Sequence, residues 1–296
     1  MNQNVYREYL AILREEIVPA LGCTEPIAIA YAAAKARSVL GRLPEHIDVR
    51  CSGNMKGIET SAVLGAVGGN PDKKLEVLTD VSPKDLELTW ELLRKKICSV
   101  SLLEGVSNLQ IIVEMTAGQE SALVEIAFSH TNIVRIEHNG TVVMKKGMSA
   151  QNATETDRSL LNLHDIYDFA NTVDVEDVRS ILEPQIRCNM AIAEEGLRGN
   201  YGANIGSVLL DMEGNDVRVR AKAYAAAGSD ARMNGCEQPV VINSGSGNQG
   251  ITTSVPVIVY ARELGVSDEK LLRALTLSNL TTIHEKTPIG RLSAYC

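Results

Sequence analysis

Residues 240–256 read VVINSGSGNQGITTSVP, and within them Gly245, Gly247 and Gly250 are spaced as G-x-G-x-x-G. A dinucleotide fingerprint would make this a doubly wound α/β protein, but a lone match to the pattern is a weak signal. The fingerprint needs a strand, a glycine turn and a helix inside a βαβ unit, with an acidic residue about twenty positions on. The run PVVIN offers a strand and Asp268 an acid. Pro256, however, follows Gly250 closely, and the surroundings read as helical rather than as alternating β and α. No Gly-Lys-Ser/Thr follows, which excludes a P-loop.

What remains is a polar, backbone-exposed loop, Asn243 to Gly250. Its glycines let main-chain N–H groups approach a ligand, and its Asn, Ser and Gln side chains supply neutral donors and acceptors. Placed before a helix, such a loop suits a small carboxylate. The competing reading is a helix–helix turn with capping side chains, which seldom needs eight consecutive small or amide residues.

Outward from the loop the pattern stays helical. SVPVIVYARELG and SDEKLLRALTLSNLTTIHEK follow it, the second capped by Ser267 with Glu269 just inside. LHDIYDFANTV, VEDVRSILEPQIRCNMAIAEEGLRG and an Ala-rich run over 222–227 precede it. At the N-terminus, Val5, Tyr9, Ile12, Leu13 and Ile17 form a helical stripe ended by Pro19. A second helix is expected over 25–40, with Pro26 in its first turn and Gly41 closing it. Thr24 is a credible N-cap there, which sets Cys23 beside a helix N-terminus, where amide dipoles favour a thiolate.

Between these helical parts the texture changes. HIDVRCS alternates as a strand, IETSAVLGAVGG reads as a short helix and KLEVLTD as another strand. SPKDLELTWELLRKKI is helical, with Ser82 and Pro83 as start signals. LQIIVEMTA, SALVEIAF and NIVRIEHNGTVVMKK are β-rich, and Asn139-Gly140 marks a hairpin. The expectation is an α+β fold: a mainly helical catalytic domain around an inserted α+β module of antiparallel strands and helices. Residues 1–45 and 151–296 would form the helical part and 46–150 the module, with GMSAQNATETDRS as a polar linker.

The 296 residues are 45% hydrophobic but only 4% aromatic, so the core must be built from Ala, Val, Leu and Ile, packed tightly with Gly between helices. A net charge of −8 argues against a nucleic-acid partner. The N-terminus is too charged for a secretory signal and no apolar run approaches a membrane span, so a cytoplasmic protein is expected. Six cysteines without C-x-x-C pairs argue against a disulfide framework.

Three stretches taken together, NSGSGNQGITTSVPVIVYA, ALGCTEPIAIAYAAAKA and IHEKTPIGRLSAYC, make the chain resemble the L-cysteine desulfidase family (UPF0597), related to the α chain of iron–sulfur L-serine dehydratases. The resemblance covers essentially the whole chain. It implies a carbon–sulfur lyase that converts L-cysteine to pyruvate, ammonia and sulfide without pyridoxal phosphate, or an L-serine dehydratase-type ammonia-lyase. It also implies a 4Fe–4S cluster held by three cysteines, whose open iron acts as a Lewis acid on the leaving atom while a base takes the α-proton.

Residue by residue, the resemblance makes Cys296 of RLSAYC a cluster ligand. Cys23 of GCTEP is the base or touches cluster or substrate, and Glu25 is an alternative base or an orienter. Asn243, Ser244, Ser246, Asn248 and Gln249 would hold the amino acid's carboxylate and amine, and Asn54 of SGNMKG would close over the pocket. Family members continue beyond RLSAYC into cysteine-bearing segments that supply the other ligands. The chain is therefore expected to be a fragment, one subunit of a split gene whose second chain completes the cluster, or an inactive amino-acid-binding copy. Self-association through exposed apolar surface is a further expectation.

Overall fold

A computed structural model describes residues 2–52, 57–106, 109–147 and 156–289. The fold is α+β, and its contacts divide it into two compact units: Met1–Cys23 with Thr156–Cys296 (unit 1), and Thr24–Glu155 (unit 2). The helix expected over 25–40 thus belongs to unit 2, so the segment 1–45 is cut after Cys23.

Unit 1 holds α1 (Gln3–Glu16), β1 (Pro19–Leu21), α5 (Leu163–Thr172), α6 (Val175–Arg198), α7 (Ile205–Glu213), α8 (Val217–Met233), β8 (Pro239–Val241), α9 (Gly247–Leu264) and α10 (Asp268–Lys286). Most of these helices start where a side chain satisfies an otherwise orphaned N–H. Asn2 caps α1, Asp174 caps α6, Asp216 caps α8 and Ser267 caps α10. α1 buries Tyr9, Leu10, Ile12 and Leu13, and the rings of Tyr6 and Tyr9 meet Phe169 of α5 edge-on. β1 and β8 form a two-stranded antiparallel ribbon in the register Pro19↔Val241, Ala20↔Val240, Leu21↔Pro239. This ribbon ties the N-terminal segment to the strand that enters the glycine loop.

Unit 2 holds α2 (Thr24–Leu40), β2 (His46–Cys51), α3 (Ile58–Gly68), α4 (Pro83–Arg94), β3 (Cys98–Leu102), β4 (Gln110–Ala117), β5 (Glu120–Ala127), β6 (Ile133–His138) and β7 (Thr141–Lys145). The strands form one sheet in the order β3-β2-β4-β5-β6-β7. α2 packs on β4, β5 and α3 and is buried on most sides from Ile27 to Ala36. A Cβ on Gly65 of α3 would lie 2.3 Å from the Ala30 carbonyl oxygen, so the small-residue palette does let helices approach backbone to backbone.

Two expectations for this unit need correction. The sheet is mixed rather than purely antiparallel, because β3 pairs parallel to β2. Two helices intervene between those strands, and a parallel pair requires such a crossover. KLEVLTD is not a strand: Pro71–Glu76 is a 3-10 turn capped by Asn70, and Leu75 and Val77 are buried, which explains its strand-like pattern. Most of the polar linker lies outside the described residues. No described helix is long and apolar enough to cross a membrane.

Candidate functional site

The polar loop is more structured than its sequence suggests. Asn243 and Ser246 exchange both backbone hydrogen bonds, 3.1 and 3.0 Å, across Ser244 (φ 50°) and Gly245 (φ 82°). Two positive φ values in a closed two-residue turn define type I′. Ser246 then caps α9, its Oγ accepting from the Gln249 N–H, so the helix begins inside the glycine motif and carries Pro256 within it. A Cβ on Gly247 would lie 2.2 Å from Arg232 Nε, and one on Gly250 would lie 2.1 Å from the Val241 carbonyl oxygen. Gly245 thus serves a turn, and Gly247 and Gly250 serve close packing. The strand before them is a short antiparallel ribbon member, not part of a βαβ unit.

Beneath the turn lies a network of fully buried amides. Asn243 Nδ2 donates to Asn279 Oδ1 (2.9 Å), while Asn243 Oδ1 accepts from Ser244 Oγ (2.9 Å) and Gln249 Nε2 (3.3 Å). Asn279 and Gln185 exchange hydrogen bonds in both directions. Asn189 bonds both backbone groups of Val241 and also donates to Ser254 Oγ. Asn243, Asn279, Gln185 and Asn189 have no exposed surface. Such networks are worth little per bond but fix one geometry, because a lost partner strands a buried polar group.

Two buried cations hold adjacent amides at the start of α9. Arg232 Nη1 donates to Asn248 Oδ1, and Lys286 Nζ donates to Gln249 Oε1, both at 3.0 Å. Arg232 is 6% exposed and Lys286 8%. The two side chains bring positive charge to the amides at the start of α9. Cys23, half-buried after β1, reaches the same region of unit 1. Its Sγ lies 3.9 Å from Met233 Sδ, and that sulfur is 3.5 Å from Arg232 Nη1.

The other predicted residues fall elsewhere. Glu25 stands in the first turn of α2 in unit 2, while Asn54 and Cys296 lie outside the described residues. Glu25 faces a residue that sequence reasoning missed: His130 Nε2 is 3.7 Å from Glu25 Oε1. Burial pushes the Glu25 carboxyl up, but the His130 ring, the Glu25 backbone N–H and the Thr24 hydroxyl together draw it below its ordinary value. The stretch AFSHTN carries no motif that would have singled His130 out; its burial at 4% exposure is a tertiary fact.

Among the described residues no set of cysteines is gathered for an iron–sulfur cluster, and Cys296, the ligand the resemblance implies, lies outside them. The described group of three possible metal-binding side chains is the surface trio His164, Asp165 and Asp168, which contains no cysteine. Burial pushes the Cys98 thiol up to about 12, the wrong direction for a ligand thiolate. A groove of about 620 Å³ lies between α8 and α9, lined by Lys222, Thr252, Pro256 and Tyr260 among others, and includes none of the predicted site residues.

A sequence profile of the serine dehydratase alpha chain family matches residues 72–296. A UPF0597 protein from Lachnoclostridium phytofermentans is 53% identical over 99% of this chain and 74% of its own length. One from Desulfitobacterium hafniense is 48% identical over 98% and 71%, and one from Treponema denticola 45% over 100% and 74%. No solved structure matches.

Proposed function

Because the chain belongs to the UPF0597 family, related to the serine dehydratase alpha chain, we propose that it is a lyase eliminating sulfide from L-cysteine. The observation that carries this reading is the pair of buried cations, Arg232 and Lys286, gripping the consecutive amides Asn248 and Gln249. A free amino acid presents one carboxylate and one ammonium to whatever binds it. The loop brings positive charge to the first; Asn243, whose Oδ1 already accepts two hydrogen bonds, holds the turn in shape, and the Ser244 and Ser246 hydroxyls are the acceptors proposed for the second.

The chemistry asks for a base at the α-carbon. The base takes the α-proton, the C–H electron pair becomes the Cα=Cβ bond, and the Cβ–S pair leaves with sulfur as hydrosulfide. The aminoacrylate tautomerises to an imine, and water converts that to pyruvate and ammonia. Cys23 and Glu25 remain the candidate bases. A 4Fe–4S cluster with Cys296 among its ligands belongs to the same reading. Since the described residues gather no thiolate set for it, the steps assigned here are those of the chain's own side chains.

The family's serine dehydratase relationship favours a second reading, in which L-serine loses water by the same sequence. Anaerobically reconstituted protein given each amino acid separates the two. Equal sulfide and pyruvate from L-cysteine supports the first reading, and pyruvate from L-serine alone supports the second. Absence of pyruvate from both rejects the lyase.

A further inference from the structure

The sheet of unit 2 has two outer strands, β3 and β7, and they are guarded differently. Native sheets protect such edges with lysines, prolines and bulges, because an open edge is a template for another strand. β7 follows that rule: its pairing with β6 shifts register between Ile136 and Glu137, and exposed Lys145 and Lys146 close it. β3 reads Cys98-Ser99-Val100-Ser101-Leu102, with neither a charge nor a proline, and its ladder to β2 runs without a break. No described strand pairs with its outer side.

The backbone of β3 is set for a further partner. The Ile97 carbonyl accepts from Ile47 N, and Leu103 N donates to the Cys51 carbonyl, both at 2.8 Å. A strand alternates with period two, so the main-chain groups of Cys98, Val100 and Leu102 point away from β2. Their side chains share one face, and the Cys98 thiol on it feels the charge of Glu59 in α3. α3 nevertheless leaves Val100 and Leu102 exposed, Leu102 at 55%. α4 also packs on α3 and ends at Arg94, just before β3. It adds Leu86, Trp90 and Leu93, spaced i, i+4 and i+7 along one side of the helix. Leu86 and Trp90 are exposed, Trp90 at 58%. Apolar surface concentrated in this way marks an interaction site.

We propose that this face binds a second copy of the chain, β3 pairing antiparallel with β3 of the copy across a two-fold axis at Val100. Val100 then faces its own counterpart and Cys98 faces Leu102 of the copy. Each pair exchanges both N–H···O=C bonds, which joins the two sheets into one. The charges on α4 favour a copy over an unrelated partner. Apart from Lys84, the acids Asp85, Glu87 and Glu91 precede the bases Arg94, Lys95 and Lys96. That order complements its own reverse, which is what the two-fold axis presents. A strand of five residues is short for the roughly 1,200 Å² or more that specific interfaces bury, and the α4 stripe enlarges the contact. The pairing holds whatever reaction the protein performs.

The test is sedimentation velocity on the 296-residue chain. Wild type is expected to be a dimer at about 50 μM, since interfaces of this kind bind at micromolar levels or tighter. Val100→Lys, which adds the missing guard to an exposed position, is expected to weaken the dimer by about tenfold or more. Trp90→Ala is the second variant should Val100→Lys fail to fold. Val100→Cys reads the register: residues opposed in a hydrogen-bonded antiparallel pair lie about 5.5 Å apart at Cα, within reach of a disulfide. Oxidised Val100→Cys is expected to run as a covalent dimer, while wild type and Val143→Cys on β7 do not. The single tryptophan reports the helix stripe, its emission moving to the red as the dimer is diluted. A wild-type monomer overturns the proposal. So does a dimer that both Val100→Lys and Trp90→Ala leave intact, because its contact then lies elsewhere. A monomer whose Trp90 emission is already that of a shielded indole makes another part of the chain the occupant and equally overturns it.

Discussion

Asn139–Gly140 and Ser244–Gly245 adopt the same backbone, with φ values of 51° and 73° in the first pair and 50° and 82° in the second. The first joins β6 to β7 with both turn residues exposed. There asparagine tolerates the left-handed region by itself, and its side chain also accepts from Ser121 N at 2.8 Å. The second is buried, leads straight into α9, and places a serine where asparagine or glycine would be easier. Its geometry is held by what lies beneath: Ser244 on Asn243, Asn243 on Asn279, Asn279 on Gln185. One turn is made by its own residues and the other by the core around it.

That contrast can be broken most forcefully at the glycines. Gly250→Ala puts a Cβ against the Val241 carbonyl and is expected to destabilise unit 1 by about 3 kcal/mol through overpacking. Gly140→Ala, with open space around its Cβ, should cost only about 1 kcal/mol from its positive φ. Chemical denaturation of both variants gives the comparison, and equal losses would remove the distinction. Asn243→Ala comes next. Stripping the hub from a fully buried network should cost about 2 kcal/mol, against about 0.5 kcal/mol for Asn139→Ala on the surface.

The smallest effect concerns Glu25 and the buried His130 that faces it. Because the Glu25 carboxyl is drawn below its ordinary value, with His130, its own backbone N–H and Thr24 together outweighing burial, its contribution to stability is fully present above the ordinary carboxylate range of about 4.3. It is lost as the pH falls through the lowered value. Melting curves of wild type and Glu25→Gln between acidic and neutral pH should show a shallower acid decline in the variant. Parallel curves would refute the linkage.

What the sequence disclosed follows the same division. Ser82-Pro83 at α4, Asn139-Gly140 at the hairpin and the Ser267 cap of α10 are short-range signals and were legible. So was the α+β class, since the helical stretches and the β-rich runs each keep their period. β3 escaped notice because it is an edge strand, half-buried at Cys98 and exposed from Ser99 to Leu102, with little alternation to read. KLEVLTD misled because burial of Leu75 and Val77 in a turn leaves the same apolar trace as a strand. At the candidate site the amides of SGSGNQG were readable as polar and glycine-opened. Their partners Gln185, Asn189, Arg232 and Lys286 stand on other elements, and His130 faces Glu25 from the far end of its unit's sequence. Nothing in one dimension links them.

The pairing of β1 with β8 also sets a timetable. A nascent chain emerging from the ribosome releases α1 and β1 first, yet Tyr9 bonds the Leu160 carbonyl, Tyr6 bonds Asp177, and Pro19–Leu21 waits for Pro239–Val241. All of unit 2 is synthesised in between, and domains generally fold as they appear. Residues 3–21 thus wait for partners made after unit 2, and unit 1 is expected to close after unit 2 has formed.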